Sequence, residues 1–295
     1  MTGQSTGQST RQSTWYSTWY STWHSAWKEQ PLSFKLSSII VVLVLCFGVI
    51  NPFISYDPVL DVELSRRDLA PSWEYWMGTD GQGRSVALRL FKGIEAFFFP
   101  GLIAGLFAAF VGGVLGALCG YFGGWIGRSL SAVLELIDTL PRMVFLVLIC
   151  TIFPPSILLI SIISSVLFIP SIATIIRRKV EALGAEDYIL AHVAHGFHPL
   201  KIISYHILWL QCRALLTRQM IFVFSYVLFI ETALSYLGDY GVQEPYPSWG
   251  NMVAQSRISA VAWPWALPAL AIIITIAALL AFGDGIARRE EEVKR

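Results

Sequence analysis

Six apolar stretches, at about residues 37–53, 97–118, 130–153, 157–176, 214–236 and 262–282, leave this chain little choice of solvent. Each approaches the roughly 20 residues that a helix needs to cross the hydrocarbon core of a bilayer. Only 14% of the residues are charged and 55% are apolar, with a mean hydropathy of +0.60. Soluble chains carry about 25% charged residues, so a soluble enzyme built around one core is excluded. The reading is an all-α membrane protein with six transmembrane helices. A net charge of +1, from 21 basic and 20 acidic side chains, provides no field to recruit nucleic acid.

The runs divide the chain into an N-terminal extension (1–36), a first span (37–53), a polar loop (54–96), a five-helix core (97–285) and a charged tail (286–295). Residues 3–26 are tandem tetrapeptides of the GQST and WYST kind, almost without aliphatic side chains. Such a segment cannot bury enough surface to offset the entropy of ordering, so a disordered extension is expected. The alternative is that Trp15, Trp19, Trp23 and Trp27 settle at the headgroup layer. The apolar run comes too late for a secretory signal, and no small-residue cleavage site follows it.

Asn51-Pro52 and Asp57-Pro58 mark the exit of the first span. Glycines punctuate the second, which predicts close packing on a neighbour. The third contains Glu135, Asp138 and Pro141, and the fourth is expected to stop at Arg177-Arg178-Lys179. Basic residues between the spans set orientation. The segments on the N-terminal side hold 13 of them and the opposite segments 6, which places both termini in the cytosol.

Chemistry is sparse. There is no G-x-x-x-x-G-K-[ST] phosphate loop, so energy for active transport must come from a partner or an ion gradient. Neither H-E-x-x-H nor G-x-S-x-G occurs, which leaves hydrolysis without a metal box or nucleophile. Cys46, Cys119, Cys150 and Cys212 stand singly, as small apolar side chains do, with neither disulfide nor zinc spacing. Glu135, Asp138 and Glu231 are the acids inside spans, and intramembrane acids are functional candidates by default. Glu135 and Asp138 read as hydrated at the membrane face. For Glu231, pairing with a neighbouring helix and lining a pathway stand level.

The polar stretch at 186–209 is the most informative piece. Asp187 can cap a helix, Tyr188, Ala191 and Ala194 continue it, and Gly196 can end it. A face of small residues suits docking into a partner's groove; an ordinary interfacial helix is the alternative. His192, His195 and His198 recur every three residues, but Gly196 and Pro199 interrupt the geometry a metal site needs. No metal is expected.

This loop resembles the cytosolic E-A-A-x-x-x-G loop of permease subunits of bacterial ABC importers, with Leu190, Ala191, His192 and Gly196 aligned and Ile207-Leu208 following. The glutamate, the second alanine and the final proline of that pattern are absent. Met77-Gly78-Thr79-Asp80-Gly-Gln-Gly83-Arg84 is similar to the G-T-D-x-x-G-R-D box of the dipeptide, oligopeptide and nickel permease group. Gly120–Trp125, Asp138–Pro141, Leu237–Asn251 and Phe282–Gly285 are similar to further family segments in the same order. Ser85, Lys92 and Glu95 depart from the family's aspartate, tyrosine and arginine.

The resemblance, over residues 37–295, implies the type I ABC importer permease fold with a cytosolic coupling helix, in a bacterial inner membrane. It implies a second homologous permease, two ABC ATPase subunits and an extracytoplasmic solute-binding protein as partners, beside membrane lipid. ATP and Mg belong to the ATPases; this chain is expected to bind no cofactor and catalyse nothing. The competing class is an ion-gradient-driven transporter or channel, which lacks the internal repeat such folds often show.

Overall fold

The computed structural model describes residues 30–294 apart from 58–60, 185, 239, 243, 244, 258 and 260. The tetrapeptide repeat therefore lies outside the described residues. Among the described residues, ten helices longer than one turn follow in order: α1 (Leu32–Ile50), α2 (Val86–Lys92), α3 (Ile94–Phe122), α4 (Gly124–Asp138), α5 (Arg142–Ile152), α6 (Ile157–Leu183), α7 (Asp187–Ala194), α8 (Arg213–Gly238), α9 (Trp249–Ser256) and α10 (Trp263–Lys294), with a single helical turn at Pro199–Lys201. Short 3₁₀ turns follow α1 and precede α2, and a π-helical segment, Ile202–Trp209, precedes α8.

Five of the described helical stretches are long and apolar enough to cross a membrane: Leu32–Phe53, Val86–Phe122, Ile157–Leu183, Arg213–Gly238 and Trp263–Glu290. The third expected span, 130–153, is instead divided. Pro141 has no N–H to donate and drives Leu140 away from helical geometry, so α4 stops at Asp138 and α5 restarts at Arg142. The 11 residues of α5 are apolar but cover only about half a bilayer core. A second correction concerns Arg177-Arg178-Lys179, which ends the apolar stretch but not the helix. Lysine and arginine are good helix formers, and α6 runs on to Leu183 with Arg177 bridging Glu135 at 3.2 Å and Glu181 at 3.9 Å.

The bundle is built on α3. Gly116 lies so close to α6 that an added Cβ would stand 2.4 Å from the Ala173 carbonyl oxygen. About three turns nearer the start of α3, Gly105 leaves 2.5 Å to the Met220 carbonyl oxygen of α8. Small residues let membrane helices approach until backbone meets backbone, where dispersion replaces the missing hydrophobic drive. The glycine-marked span therefore packs on two neighbours rather than one. α10 closes the bundle against α8 and α1, with Phe34 stacked on Phe282 at 5.7 Å.

One end of the bundle carries residues 61–85 and α9; the other carries residues 186–212.

Candidate functional site

At the first end, the box is a knot of backbone and charge. Gly78 and Gly83 adopt φ of +74° and +77°, a region that costs glycine nothing, and a Cβ on Gly83 would collide with the Glu63 carbonyl. The hydroxyl of Thr79 donates to the Arg66 carbonyl at 2.5 Å and accepts from the N–H of Leu69 at 2.8 Å. Asp80 Oδ1 accepts from the N–H groups of Gln82 (2.9 Å) and Arg84 (3.0 Å). Its Oδ2 accepts from Arg84 Nε at 2.9 Å and Arg89 Nη1 at 2.5 Å. Both guanidiniums reach on to Gln255 Oε1 at 3.2 Å, and Trp263 Nε1 donates to the Thr79 carbonyl at 3.0 Å.

Each residue type in the box thus has a local reason: glycines for positive φ, Thr79 and Asp80 for backbone donors and acceptors, Arg84 for charge. Burial pushes the Asp80 carboxyl up, but Arg89, Arg84 and the two N–H groups outweigh it and hold the carboxyl below its ordinary range. Arg89 and Gln255 complete the network and were not among the expected site residues. The signal for Arg89 was its position five residues after Arg84, just where an apolar helix begins.

Beside the box, Lys92 is buried with its ammonium on the carbonyls of Asn51 (2.9 Å) and Ile54 (2.5 Å). A cation at the C-terminal end of α1 is favoured by the helix dipole, so this departure from the family pattern has a structural partner. Lys92, Glu95, Tyr56 and Tyr246 line a cavity of about 560 Å³.

At the other end, α7 stops where expected. Gly196 has φ +74°, Phe197 N–H bonds back to the His192 carbonyl at 3.1 Å and His195 N–H to Ala191 at 3.0 Å. This is a glycine-terminated helix end that satisfies the last carbonyls. Ala191, Ala194, His195 and Gly196 are exposed, and an added Cβ on Gly196 meets nothing within 4 Å. Ile189 faces inward instead and joins Ile202, Ile203, Ile207 and Cys212 in a buried cluster continuous with α3, α6 and α8. Ile207, expected among the docking residues, is 0% exposed and anchors the loop from beneath. Asp187 and Tyr188 open the helix. His192 is half-buried with its ring 4.1 Å from that of His206.

Glu231, the expected pathway candidate, is 1% exposed. Its Oε1 accepts from Ser235 (2.9 Å) and Ser248 (2.7 Å), which ties α8 to the start of α9. The charges that do line a cavity within the spans are others. Arg142, Phe168, Ser171, Arg218, Phe222 and Asp284 bound about 410 Å³ between α5, α6, α8 and α10. Arg142 pairs with Asp138 and Arg218 with Asp284, each at 2.6 Å. Sequence reasoning singled out Asp138 alone of these four.

A bundle with five helices long and apolar enough to cross a membrane, and a helical loop at one end, defines a multi-pass integral membrane protein. Residues 112–291 match the model of the family described as binding-protein-dependent transport system inner membrane component. The dipeptide transport system permease protein DppC of Bacillus subtilis (strain 168) is 30% identical over 250 residues, covering 84% of this chain and 78% of that one. DppC of Alkalihalophilus pseudofirmus is 28% identical over 250 residues, covering 84% and 82%. The oligopeptide transport system permease protein OppC of Bacillus subtilis is 28% identical over 250 residues, covering 84% and 81%. The chain belongs to this family of inner membrane transport components, and its resemblance to the peptide-importer permeases, first seen in the box and the loop, is borne out.

Proposed function

We propose that this chain is one of two homologous permease subunits of an ATP-driven importer of short peptides, and that α7 is the element on which a cytosolic ATPase docks. The observation that carries this reading is the division of α7 into two faces. Ala191, Ala194 and Gly196 stand exposed with small side chains or none, beside the exposed His195 whose ring folds back on the Ala191 carbonyl, while Ile189 and the following Ile202, Ile203 and Ile207 are buried in the core shared by three spanning helices. A partner pressing on such a face meets little side-chain entropy, and its motion passes to the spans as a rigid body. The names of the relatives support peptides as the solute.

On this reading the loop end faces the cytosol, with both termini, in the inner membrane of a bacterium. Residues 54–96 then face an extracytoplasmic solute-binding protein, 97–285 form the core and 286–295 a cytosolic tail. Two ATPases bind ATP and Mg and hydrolyse the nucleotide, and lipid surrounds the remaining apolar surface.

Gly196→Asp tests the docking role. It places a side chain in left-handed backbone and a charge on the docking face, where a charge desolvated without a partner is costly. In cells expressing all subunits, ATPase recovery with the purified permease and peptide uptake should fall together while membrane levels hold. Normal recovery and normal uptake in the variant would remove the assignment.

A further inference from the structure

We infer that the cavity between α5, α6, α8 and α10 is a transit site that reads both charged ends of a zwitterionic peptide: Arg142 and Arg218 take the carboxylate, and Asp138 and Asp284 the ammonium. The inference rests on the reading of this chain as an importer permease.

Placement comes first. Ser171 lies 14 residues into α6, about 21 Å from its start, near the middle of a helix about 40 Å long. Arg218 lies five residues into α8, nearer the loop end. Two ion pairs therefore stand at two depths along one wall. Charged side chains within membrane spans are rare and face protein or water-filled cavities rather than lipid. Arg142, Arg218 and Asp284 line the cavity, and Asp138 adjoins it through its bonds to Arg142 and Ser171; all four side chains are between 27% and 45% exposed in the single chain, unlike the sealed Glu231.

The geometry is preset, with valences to spare. Arg142 Nη2 donates to Asp138 and to the Ser171 hydroxyl, its Nε lies 3.4 Å from the Leu167 carbonyl, and its Cζ sits 4.2 Å over the Phe168 ring. Among the described residues its Nη1 makes no hydrogen bond. Arg218 engages Asp284 through Nε alone, at 2.6 Å, which leaves both terminal nitrogens available. Each aspartate uses Oδ1 and keeps Oδ2. The spare donors of Arg142 and Arg218 and the spare acceptor of Asp284 belong to residues that line one space of about 410 Å³, within the range of small-molecule sites, with Asp138 beside Arg142 at its margin. A lone anion or cation meets opposing charge there; a molecule carrying both ends meets a partner for each.

The test uses the complete importer in proteoliposomes, with Ala-Ala as the transported peptide. Arg142→Gln and Arg218→Gln should each lower Ala-Ala uptake per ATP hydrolysed about tenfold, the order of one lost charge-assisted contact. The double variant Arg218→Asp with Asp284→Arg restores the ion pair but reverses the wall, and it should not recover uptake. Recovery in the double variant, or unchanged uptake in both single variants, overturns the inference. A second measurement does not depend on those variants folding. Ser171→Cys, with the exposed Cys46 changed to Ser, should react with a charged, membrane-impermeant thiosulfonate, and Ala-Ala should protect it where N-acetyl-Ala-Ala-amide does not. An unreactive thiol, as at a permease–permease contact, also overturns it. A wild-type complex that neither retains ATPases nor transports refutes the importer reading itself, a separate result.

Discussion

Replacing Asp80 by Asn removes one negative charge from between two buried guanidiniums and changes almost nothing else. The amide oxygen can still accept from the N–H groups of Gln82 and Arg84, which contact Oδ1 at 2.9 and 3.0 Å. What disappears is the charge on Oδ2, which holds Arg84 Nε at 2.9 Å and Arg89 Nη1 at 2.5 Å. Those two side chains are 4% and 2% exposed, so neither charge can turn to water. Breaking a buried pair from one side costs about 3–5 kcal/mol. At about 2–4 °C per kcal/mol for a chain of this size, the unfolding midpoint should fall by about 10 °C. The sign with pH follows from the lowered Asp80 carboxyl. A group whose folded pKa lies below its unfolded value of 3.8 stabilises fully above that pH, and the stabilisation is lost only as pH falls through the folded value. The gap between wild type and variant should therefore be constant from about pH 5 to 8. Heating detergent-solubilised protein and counting the surviving folded fraction by fluorescence-detected size exclusion measures both. A shift under about 2 °C, or a gap that closes at about pH 5, would show that the Asp80 charge does not hold the two guanidiniums.

Gly116→Leu should abolish folded yield in the membrane, because its Cβ alone would stand 2.4 Å from the Ala173 carbonyl oxygen. Gly184→Ala is the control: its nearest neighbours are at 3.5 Å, and its yield should match wild type. Partial desolvation, then His192 and Lys201, hold His206 below its ordinary pKa. Its folded value thus lies under the unfolded 6.5, so the loop is most stable above that pH and weakens as pH drops through it. Protection factors of the Ile202–Trp209 amides, taken against the intrinsic exchange rate at each pH, should fall between about pH 7.5 and 5.5, and flat protection across that range would count against the histidine contact.

How far this was legible in the sequence depends on which force decided each feature. Runs of apolar residues fix spans because the bilayer admits no other solution, and α1, α3, α6, α8 and α10 lie where the runs predict. Gly78, Gly83 and Gly196 were legible because positive φ is a local demand that glycine meets. The break at Pro141 was visible as a residue, but the apolar flanks on both sides masked it. Glu231 was correctly placed within a span; that Ser235 and Ser248 would take up its oxygen depends on a loop returning to α8, which no local pattern encodes. Arg142 and Arg218 left a trace. Of 21 basic residues, 13 and 6 fall between spans, and the two remaining are these. A cation that topology cannot assign to either side of a membrane is already a candidate for the pathway.

The two proposed sites also share one mechanical body. The buried cluster that begins at Ile189 and Ile207 runs without a polar break through Val180, Ile176 and Ile172 of α6 and Ala117, Ala108 and Ala104 of α3 to Val223 and Val227 of α8. The loop is thus continuous with the wall that carries Ser171 and Arg218. Close-packed interiors shift as blocks rather than deform, so a partner that displaces α7 displaces α6 and α8 with it. Arg142 and Asp138 belong to a different part of the chain: they stand on either side of the break at Pro141, outside that block. Ser171, which donates to Asp138 at 2.5 Å and also bonds Arg142, is one of the contacts between the two parts, beside the Arg177–Glu135 bridge, the Phe168 ring under Arg142 and the packing of Leu146 and Cys150 against α6 and α8. Were α7 displaced, movement of the block relative to the α4–α5 break would load the Ser171 hydrogen bonds that hold Arg142 and Asp138, together with those contacts, so the division of the third span is where the proposed docking and the proposed transit site would be coupled.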